Sequence, residues 1–213
     1  LQHRTLKTNI IVSLGRRDGL FSILNTNSTV DKLVSISGTE DEVVTNVAAD
    51  SVHTWVVAGT TNSKQITVAG TLKLTLSNLK NNAIFISKID SLGNAVWVSG
   101  LANNTTSSTG DCYPISLHVR NDNIIILQGF VRGSITSLYT GSTFPVKSLT
   151  VPDYKNLYFP FTAEIAETGE ITALYYSFNT AYKHELIRKR ITTYNNIMYE
   201  AGTFINQIEC GNT

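Results

Sequence analysis

Residues 85–100 read FISKIDSLGNAVWVSG, with a run of alternating apolar and polar residues on either side of Gly93–Asn94. Alternation with a period of two residues is typical of a half-buried β-strand. A Gly-Asn pair is typical of the tight turn that joins two such strands. The stretch therefore predicts a β-hairpin, and similar stretches elsewhere in the chain indicate how many copies of it there are.

The sequence contains this arrangement of strand, turn glycine and strand three times. The three stretches are 8–27, 82–103 and 158–179, and their predicted turn glycines are Gly19, Gly93 and Gly169. A second kind of hairpin, whose last strand ends near a glycine, follows each of them. Its copies are 43–60, 113–130 and 185–203, with Gly59, Gly129 and Gly202. Both sets of glycines recur at intervals of 70–76 residues, which predicts an internal repeat.

Each repeat therefore contains four short strands in two hairpins. We expect a single domain over residues 1–213, with repeats of about 8–80, 81–155 and 156–213. The segments 61–81 and 134–157 exceed a compact four-stranded unit, and we interpret them as long loops or extra hairpins. The segment 181–190 (AYKHELIRKR) is the best helical candidate, but its place in the repeat favours a strand.

Four-stranded units cannot bury both faces alone, so neighbouring copies must pack face to face. Such units arranged around an axis form a β-propeller. The sequence thus predicts an all-β fold, a β-propeller-like array of about three four-stranded antiparallel blades. Propellers close with about 4–8 blades, so three copies predict part of a larger or oligomeric propeller. The first residue, Leu1, favours a larger parent protein.

Residues 82–130 resemble the SBBP family of seven-bladed β-propeller repeats. That family reads F-x-x-K-x-D-x-x-G-x-x-x-W, and Phe85, Lys88, Asp90, Gly93 and Trp97 match it. The other two copies keep the glycine and the apolar alternation but lack the Lys, the Asp and the Trp. The resemblance implies propeller geometry and brings no catalytic residues.

Composition narrows the classes of function. The net charge is +1, which gives no general attraction to nucleic acid. Charged residues make up 15% of the chain, against about 25% in an ordinary domain. A surface of Ser, Thr and Asn is typical of extracellular, cell-surface or virion proteins, and an AT-rich genome gives the same composition. No apolar run reaches the ~18 residues of a membrane span, and no signal peptide is recognisable.

Several residue types that often form sites occur without a functional pattern. They are His3, His53, His118 and His184; Asp50, Asp90 and Asp122; Ser91 and Asn94; the charged residues Lys183, Glu185, Arg188, Lys189 and Arg190; and Trp55 and Trp97. The histidines lack metal-ligand spacing. The aspartates are expected to hydrogen-bond turn backbone, the basic segment to form a charged edge strand, and the tryptophans to pack between blades. We predict no catalytic, cofactor-binding or metal-binding residues.

Two cysteines are candidates for a disulfide, and three sequons are candidates for N-glycosylation. Cys112 and Cys210 allow either one disulfide or two buried free thiols. The sequons, at Asn27, Asn103 and Asn104, support secretion only weakly.

The hypothesis with the most support is a non-catalytic propeller-type scaffold that presents loops to a protein partner or self-associates to complete a propeller. Binding of nucleic acid and insertion into a membrane are not expected. A carbohydrate-binding or glycan-processing module is the alternative, because paired carboxylates are a spatial feature that sequence does not reveal. A third, weaker hypothesis is a piece of a larger enzyme whose active residues lie elsewhere.

Overall fold

The structure is a computed structural model, and it describes residues 13–50, 53–76, 81–103, 111–141, 143–151, 158–176, 188–194 and 197–203. Within these ranges the regular secondary structure consists of strands, and no helix is present. The all-β fold class predicted from the sequence is confirmed.

The strands are short and follow one another as antiparallel hairpins. In chain order they are β1 (Gly19–Leu24), β2 (Val30–Ser37), β3 (Glu42–Ala49), β4 (Trp55–Thr61), β5 (Gln65–Val68), β6 (Leu72–Thr75), β7 (Ala83–Ile89), β8 (Ala95–Ala102), β9 (Asp111–Val119), β10 (Ile125–Arg132), β11 (Ser134–Tyr139), β12 (Ser148–Thr150), β13 (Phe159–Ile165), β14 (Ile171–Tyr176), β15 (Arg188–Tyr194) and β16 (Ile197–Thr203). Many of their residues are β-branched or aromatic, and such side chains pack well on a pleated surface.

Fourteen of these strands form three antiparallel sheets, and β15 and β16 form a separate hairpin. Sheet 1 has the order β1-β2-β5-β6, sheet 2 the order β3-β4-β7-β8-β11-β12, and sheet 3 the order β9-β10-β13-β14. None of these sheets closes on itself among the described strands. Sheets 1 and 3 have four strands and sheet 2 has six. The predicted grouping of the hairpins within a unit is wrong, because the hairpin 82–103 pairs with the preceding hairpin 43–60 and not with the following hairpin 113–130.

Sheets 2 and 3 are copies of one arrangement. The four strands β3-β4-β7-β8 and the four strands β9-β10-β13-β14 each form an antiparallel meander in chain order. The hairpins β5–β6 and β11–β12 lie at equivalent places in the chain, between the second and third strands of a meander. Each joins the far edge of the preceding sheet, through β2 and β8 respectively. The segments 61–81 and 134–157 thus contain extra hairpins that tie one sheet to the next.

Five of the hairpin turns share one backbone geometry. In each, the first residue of a five-residue turn donates its N–H to the carbonyl of the fifth, as Asp90 does to Asn94 at 2.9 Å. The fourth residue adopts a left-handed backbone, with φ between 58° and 88°. The residues in this fourth position are Ser28, His53, Gly93, Asn123 and Gly169. Gly93 and Gly169 are therefore turn glycines, as predicted.

The prediction that Gly19 is a turn glycine is wrong. Gly19 is the first residue of β1, and the turn of this hairpin lies farther along, with Ser28 in the left-handed position (φ 58°). Asn25 stabilises the turn, because its Oδ1 accepts hydrogen bonds from the N–H groups of Asn27 and Thr29. A short polar residue inside such a side-chain-capped turn tolerates a backbone that usually favours glycine.

The strand glycines of the second hairpins have a packing role instead. A Cβ placed on Gly59 in β4 would lie 2.0 Å from a carbonyl oxygen of β3 and 2.6 Å from the ring of Phe85 in β7. On Gly129 in β10, it would lie 2.1 Å from a carbonyl oxygen of β9 and 2.7 Å from the ring of Phe161 in β13. The register sets Gly59 opposite Phe85 and Gly129 opposite Phe161. The same contact between a glycine and an aromatic ring thus recurs in sheets 2 and 3.

The core consists of two apolar layers on either side of sheet 2. Strand β7 contributes to both, and all seven of its residues are buried. Phe85 and Ile89 pack in the layer shared with sheet 1, and Ile84 and Ile86 pack in the layer shared with sheet 3. Sheet 2 is therefore the middle layer of a three-sheet stack.

Replacement of Gly59 or Gly129 by alanine tests the glycine–aromatic contact. Each substitution should lower the free energy of unfolding by about 1–3 kcal/mol, because the new methyl group overlaps backbone and ring atoms. Urea unfolding followed by tryptophan fluorescence measures the change.

The control for this prediction is Gly70→Asn in the β5–β6 turn. Gly70 has φ 69°, no atom lies within 4 Å of the place that a Cβ would take, and asparagine tolerates that backbone. We expect this change to cost about 0.5 kcal/mol. Equal costs for all three variants would contradict a steric role for Gly59 and Gly129.

Candidate functional site

The junction between sheets 2 and 3 is centred on Lys88 in β7. Its Nζ lies 3.0 Å from Asp50 Oδ2 and 3.2 Å from Glu167 Oε1. The side chains of Lys88 and Asp50 are 8% and 3% exposed, whereas that of Glu167 is 54% exposed. Asp50 begins the β3–β4 turn of sheet 2, and Glu167 lies in the β13–β14 turn of sheet 3. The three charges therefore hold a turn of sheet 3 against sheet 2.

The environment of Lys88 favours its charged form. Burial lowers the pKa of Lys88, but hydrogen bonds to Asp50 and Glu167 more than offset this, so the pKa is raised above its ordinary value. A buried charge is tolerated when it is paired in this way, and it becomes costly when a partner is removed.

Trp97 in β8 forms the rest of this junction. Its Nε1 donates a hydrogen bond of 2.8 Å to the carbonyl oxygen of Glu167, and Ser99 Oγ donates one of 2.7 Å to that of Gly169. A Cβ on Gly169 would lie 2.7 Å from the Trp97 ring, so the turn rests directly on the indole. Trp97 is thus a packing residue between sheets, as the sequence predicts.

The junction between sheets 1 and 2 has the same geometry. A Cβ on the turn glycine Gly93 would lie 3.4 Å from Lys32 and 3.5 Å from Val34, both in β2. Counted from the bulge in each hairpin, Lys32 and Val34 occupy the positions in sheet 1 that Trp97 and Ser99 occupy in sheet 2. The β7–β8 turn of sheet 2 and the β13–β14 turn of sheet 3 therefore each pack against the same two positions of the preceding sheet.

The two positions that Asp50 and Lys88 occupy in sheet 2 carry opposite charges in sheet 3 as well, with the signs exchanged. Arg120 begins the β9–β10 turn, as Asp50 begins the β3–β4 turn, and Glu164 precedes the β13 bulge as Lys88 precedes that of β7. The pKa of Arg120 is raised, mainly by its hydrogen bond to Asp122 and also by the charge of Glu164. Opposite charges are thus kept at these positions while their order is reversed.

A groove of about 470 Å³ lies beside β1, the edge strand of sheet 1. Its lining residues are Ser13, Arg16, Arg17, Asp18, Gly19, Leu20, Glu42, Val43 and Val44. At the surface, Arg17 pairs with Asp41 at 2.9 Å. The groove combines a strand edge that has no partner among the described strands with apolar and charged side chains, which suits an extended peptide.

Two carboxyl groups meet at this groove. Glu42 is 1% exposed, and its Oε1 accepts a hydrogen bond of 2.7 Å from Thr61 Oγ1. Its Oε2 and Asp18 Oδ1 are buried, with no hydrogen-bond partner among the described residues. Burial raises the pKa of Glu42, and the charge of Asp18 raises it further. The two residues lie on different elements, and the sequence carries no signal that pairs them.

A second polar cluster surrounds Asp111 at the start of β9. Asp111 Oδ2 accepts hydrogen bonds from Tyr113 at 2.5 Å and from Tyr158 at 2.9 Å. The guanidinium of Arg132 lies 5.2 Å from the Tyr158 ring centre, and Asn82 Nδ2 donates to the Tyr113 hydroxyl at 2.8 Å. Burial, followed by the bond to Asp111, raises the pKa of Tyr113. This cluster fastens the end of sheet 3 to the residues before β7.

The aspartates singled out in the sequence hydrogen-bond turn backbone, as predicted. Asp50 Oδ1 accepts from the Thr54 N–H at 3.0 Å, and Asp122 Oδ1 accepts from that of Ile124 at 3.3 Å. Asp90 Oδ1 accepts two N–H bonds, from Leu92 at 2.9 Å and from Asn94 at 2.7 Å. The Asn94 side chain donates to Asp90 Oδ2 at 3.0 Å, and these bonds lower the pKa of Asp90.

The remaining candidates within the described residues occupy structural positions. His53 is exposed in the β3–β4 turn, and His118 lies in β9, where burial lowers its pKa. Trp55 packs against Phe21 of sheet 1, with ring centres 6.0 Å apart. Ser91 lies in the β7–β8 turn, and Arg188, Lys189 and Arg190 begin β15. The strand predicted for 181–190 is confirmed at 188–190, and 181–187 lie outside the described residues.

Other candidates fall outside the described residues. They are His3, Asn104, Lys183, His184, Glu185 and Cys210. Cys112 is a buried free thiol, and burial raises its pKa. Of the other sequon asparagines, Asn27 is exposed in the β1–β2 turn, whereas Asn103 is 8% exposed.

The described part of the chain has neither a metal-ligand cluster nor a membrane-spanning helix. No group of three or more His, Cys, Asp and Glu side chains in it has the arrangement of a metal site. No helix there is long and apolar enough to cross a membrane.

Comparisons of the chain with protein-family models, with curated protein sequences and with solved structures found no match. The resemblance of residues 82–130 to SBBP repeats therefore stays a prediction.

Substitution of Lys88 by methionine tests the junction between sheets 2 and 3. It should lower the free energy of unfolding by about 3–5 kcal/mol, because it leaves the Asp50 carboxylate buried beside an apolar side chain. The double variant Lys88→Met with Asp50→Asn should regain part of this loss. Glu167→Gln is the control and should cost no more than about 1 kcal/mol, since Glu167 is half exposed. Urea unfolding measures the stability of all three variants. Equal effects of Lys88→Met and Glu167→Gln would contradict a central role for Lys88 at this junction.

Glu42→Gln should change how stability depends on pH. A raised pKa in the folded state stabilises the fold at a pH below the ordinary glutamate pKa, and this contribution is lost as pH rises through the raised value. The Gln variant cannot ionise and keeps an acceptor for Thr61, so it should be more stable than the parent at neutral pH.

Urea unfolding between pH 4 and pH 8 measures this difference. Asp41→Asn is the control of opposite sign, because the bond from Arg17 lowers the pKa of Asp41. That variant should lose stability above the ordinary aspartate pKa. Parallel pH curves for the parent and Glu42→Gln would contradict a buried, destabilised Glu42 carboxylate.

Proposed function

We propose that this protein is a non-catalytic, propeller-type structural module that binds protein through the open end of its stack of sheets. The partner is another protein or a second copy of the chain. The proposal includes the propeller form, to which the sequence of residues 82–130 also points.

Three side chains on the outer face of sheet 1 carry the proposal. Leu20, Leu24 and Val30 are 53%, 56% and 53% exposed. Leu24 and Val30 are the pair beyond the bulge of their hairpin, and Leu20 lies four residues before Leu24. The equivalent positions are Phe85, Ile89 and Ala95 in sheet 2, and Phe161, Ile165 and Ile171 in sheet 3.

Those equivalent positions face the preceding sheet, which covers them fully except for the partly buried Ala95. Phe85 and Ile89 are 0% exposed and belong to the layer shared with sheet 1; Phe161 and Ile165 are at most 1% exposed and belong to the layer shared with sheet 2. A large apolar side chain that stays exposed lacks the stabilisation of about 1.5–3 kcal/mol that full burial gives. An apolar face of this kind is typical of a surface that binds protein.

The arrangement of the first strands supports a radial form. Strand β9 lies beside β3 of the preceding sheet, and β15 lies beside β9 in turn. The first strands of successive units thus stand next to one another, as they do around the axis of a propeller.

Location and ligand remain parts of the proposal. A cell-surface or virion scaffold suits the low charge and the many Ser, Thr and Asn residues. Carbohydrate binding stays the alternative prediction. The residues described as lining the groove beside β1 include no aromatic side chain on which a sugar ring could stack.

The mass of the isolated chain in solution tests the proposal. Light scattering should show an assembly of two or more copies at micromolar concentration, and Leu20→Ser with Leu24→Ser should shift it to the monomer. Val146→Ser is the matched control, because Val146 is 64% exposed and belongs to the β11–β12 loop of sheet 2. A compact, stable monomer of the unaltered chain at every concentration would contradict the proposal.

A further inference from the structure

The two ends of the stack are complementary parts of one sheet. In sheets 2 and 3 the third strand pairs with the second, β7 with β4 and β13 with β10. Strand β1 is the equivalent in sheet 1 of these third strands, β7 and β13. It nevertheless pairs only with β2 among the described strands. The hairpin β15–β16 corresponds to the first and second strands of a sheet, as β3–β4 and β9–β10 do in sheets 2 and 3. Among the described strands β16 pairs only with β15.

The sequence and position of this hairpin agree with that role. Ala201-Gly202-Thr203 in β16 repeats Ala58-Gly59-Thr60 in β4. Strand β15 lies beside β9 as β9 lies beside β3, so β15 stands where the first strand of a further sheet is expected. Within one copy, β1 and β15 belong to opposite ends of the stack, with sheets 2 and 3 between them.

We propose that β16 of one copy pairs antiparallel with β1 of a second copy, so that β15–β16 completes sheet 1 of that copy. This inference rests on the proposed function and names its partner. The completed sheet has the order β15-β16-β1-β2-β5-β6. Its strands correspond one by one to those of sheet 2, whose order is β3-β4-β7-β8-β11-β12.

The repeat fixes the register of this pairing. Gly59 lies opposite Phe85 and Gly129 lies opposite Phe161. The equivalent residues are Gly202 and Leu20, so Gly202 is expected opposite Leu20, and Glu200 opposite Ser22. A glycine in this place leaves room for the large side chain on the neighbouring strand, as it does in sheets 2 and 3.

The same pairing covers the exposed apolar face. Because β15 lies against sheet 3 of its own copy, a sheet completed on β16 extends over the outer face of that sheet. Leu20, Leu24 and Val30 of the second copy then face sheet 3, as their equivalents in sheets 2 and 3 face the preceding sheet. One contact thus pairs the edge of β1 that has no partner among the described strands and covers the apolar face behind it.

The number of copies follows from the geometry. The contact joins two different surfaces, so it produces a ring or an open chain of copies. Each copy contributes three sheets, and propellers close with about 4–8. A ring of two copies has six sheets and a mass twice the 23.4 kDa of the chain.

Cross-linking between two variants with one added cysteine each tests the pairing. One variant carries Ser22→Cys and the other Glu200→Cys, both with Cys210→Ser, while Cys112 is kept because it is 0% exposed. A short bismaleimide should yield a covalent dimer in the mixture and none in either variant alone. Ile191→Cys replaces Glu200→Cys in the control mixture. Ile191 pairs with Glu200 but lies one strand farther from β1, roughly 4.8 Å, and its yield should be several-fold lower.

Each other outcome has a distinct meaning. Association in light scattering without the specific cross-link would overturn this pairing and leave the proposed function standing. A chain with both cysteines that cross-links only within itself would also overturn the pairing between copies. A monomer in light scattering with no cross-link would overturn both proposals.

Discussion

The coverage of one sheet by the next is the constraint on which the rest of this structure depends. Each sheet carries apolar side chains on both faces, so only a middle sheet with neighbours on both sides is fully buried, and β7 of sheet 2 shows it. The glycines of β4 and β10 leave room for the aromatic rings of Phe85 and Phe161 on the adjacent strands. An end of the stack lacks this coverage, and its exposed apolar side chains follow from that fact.

The polar contacts at the junctions determine how the sheets are aligned. Apolar layers alone are not directional, whereas a turn seated on two fixed positions of the preceding sheet sets the offset between sheets. At the junction of sheets 2 and 3 this alignment relies on Lys88, Trp97 and the turn with Glu167 and Gly169. In sheet 3 the signs are exchanged, with Arg120 in the place of an aspartate, and Arg120 pairs with Asp122 within its own turn.

Local sequence predicts the hairpins well and the pairing between hairpins poorly. Gly93 and Gly169 identify their turns because a left-handed backbone favours glycine, whereas Ser28 takes the same backbone with help from a neighbouring asparagine and gives no such signal. The pairing of β4 with β7 and that of β10 with β13 each join segments from two predicted repeats, and alternation along one segment does not encode it. Asp18 and Glu42 come together only through the packing of β1 against β3, so the candidate groove could not be predicted.

Amide hydrogen exchange in β1 and β16 tests most directly the claim that the stack is completed by a neighbour. If the two strands pair between copies, their amides should exchange nearly as slowly as those of β7, and the protection should fall as the protein is diluted. Rapid exchange in β1 and β16 at all concentrations, with β7 protected, would show that the end of the stack stays open and would contradict the account.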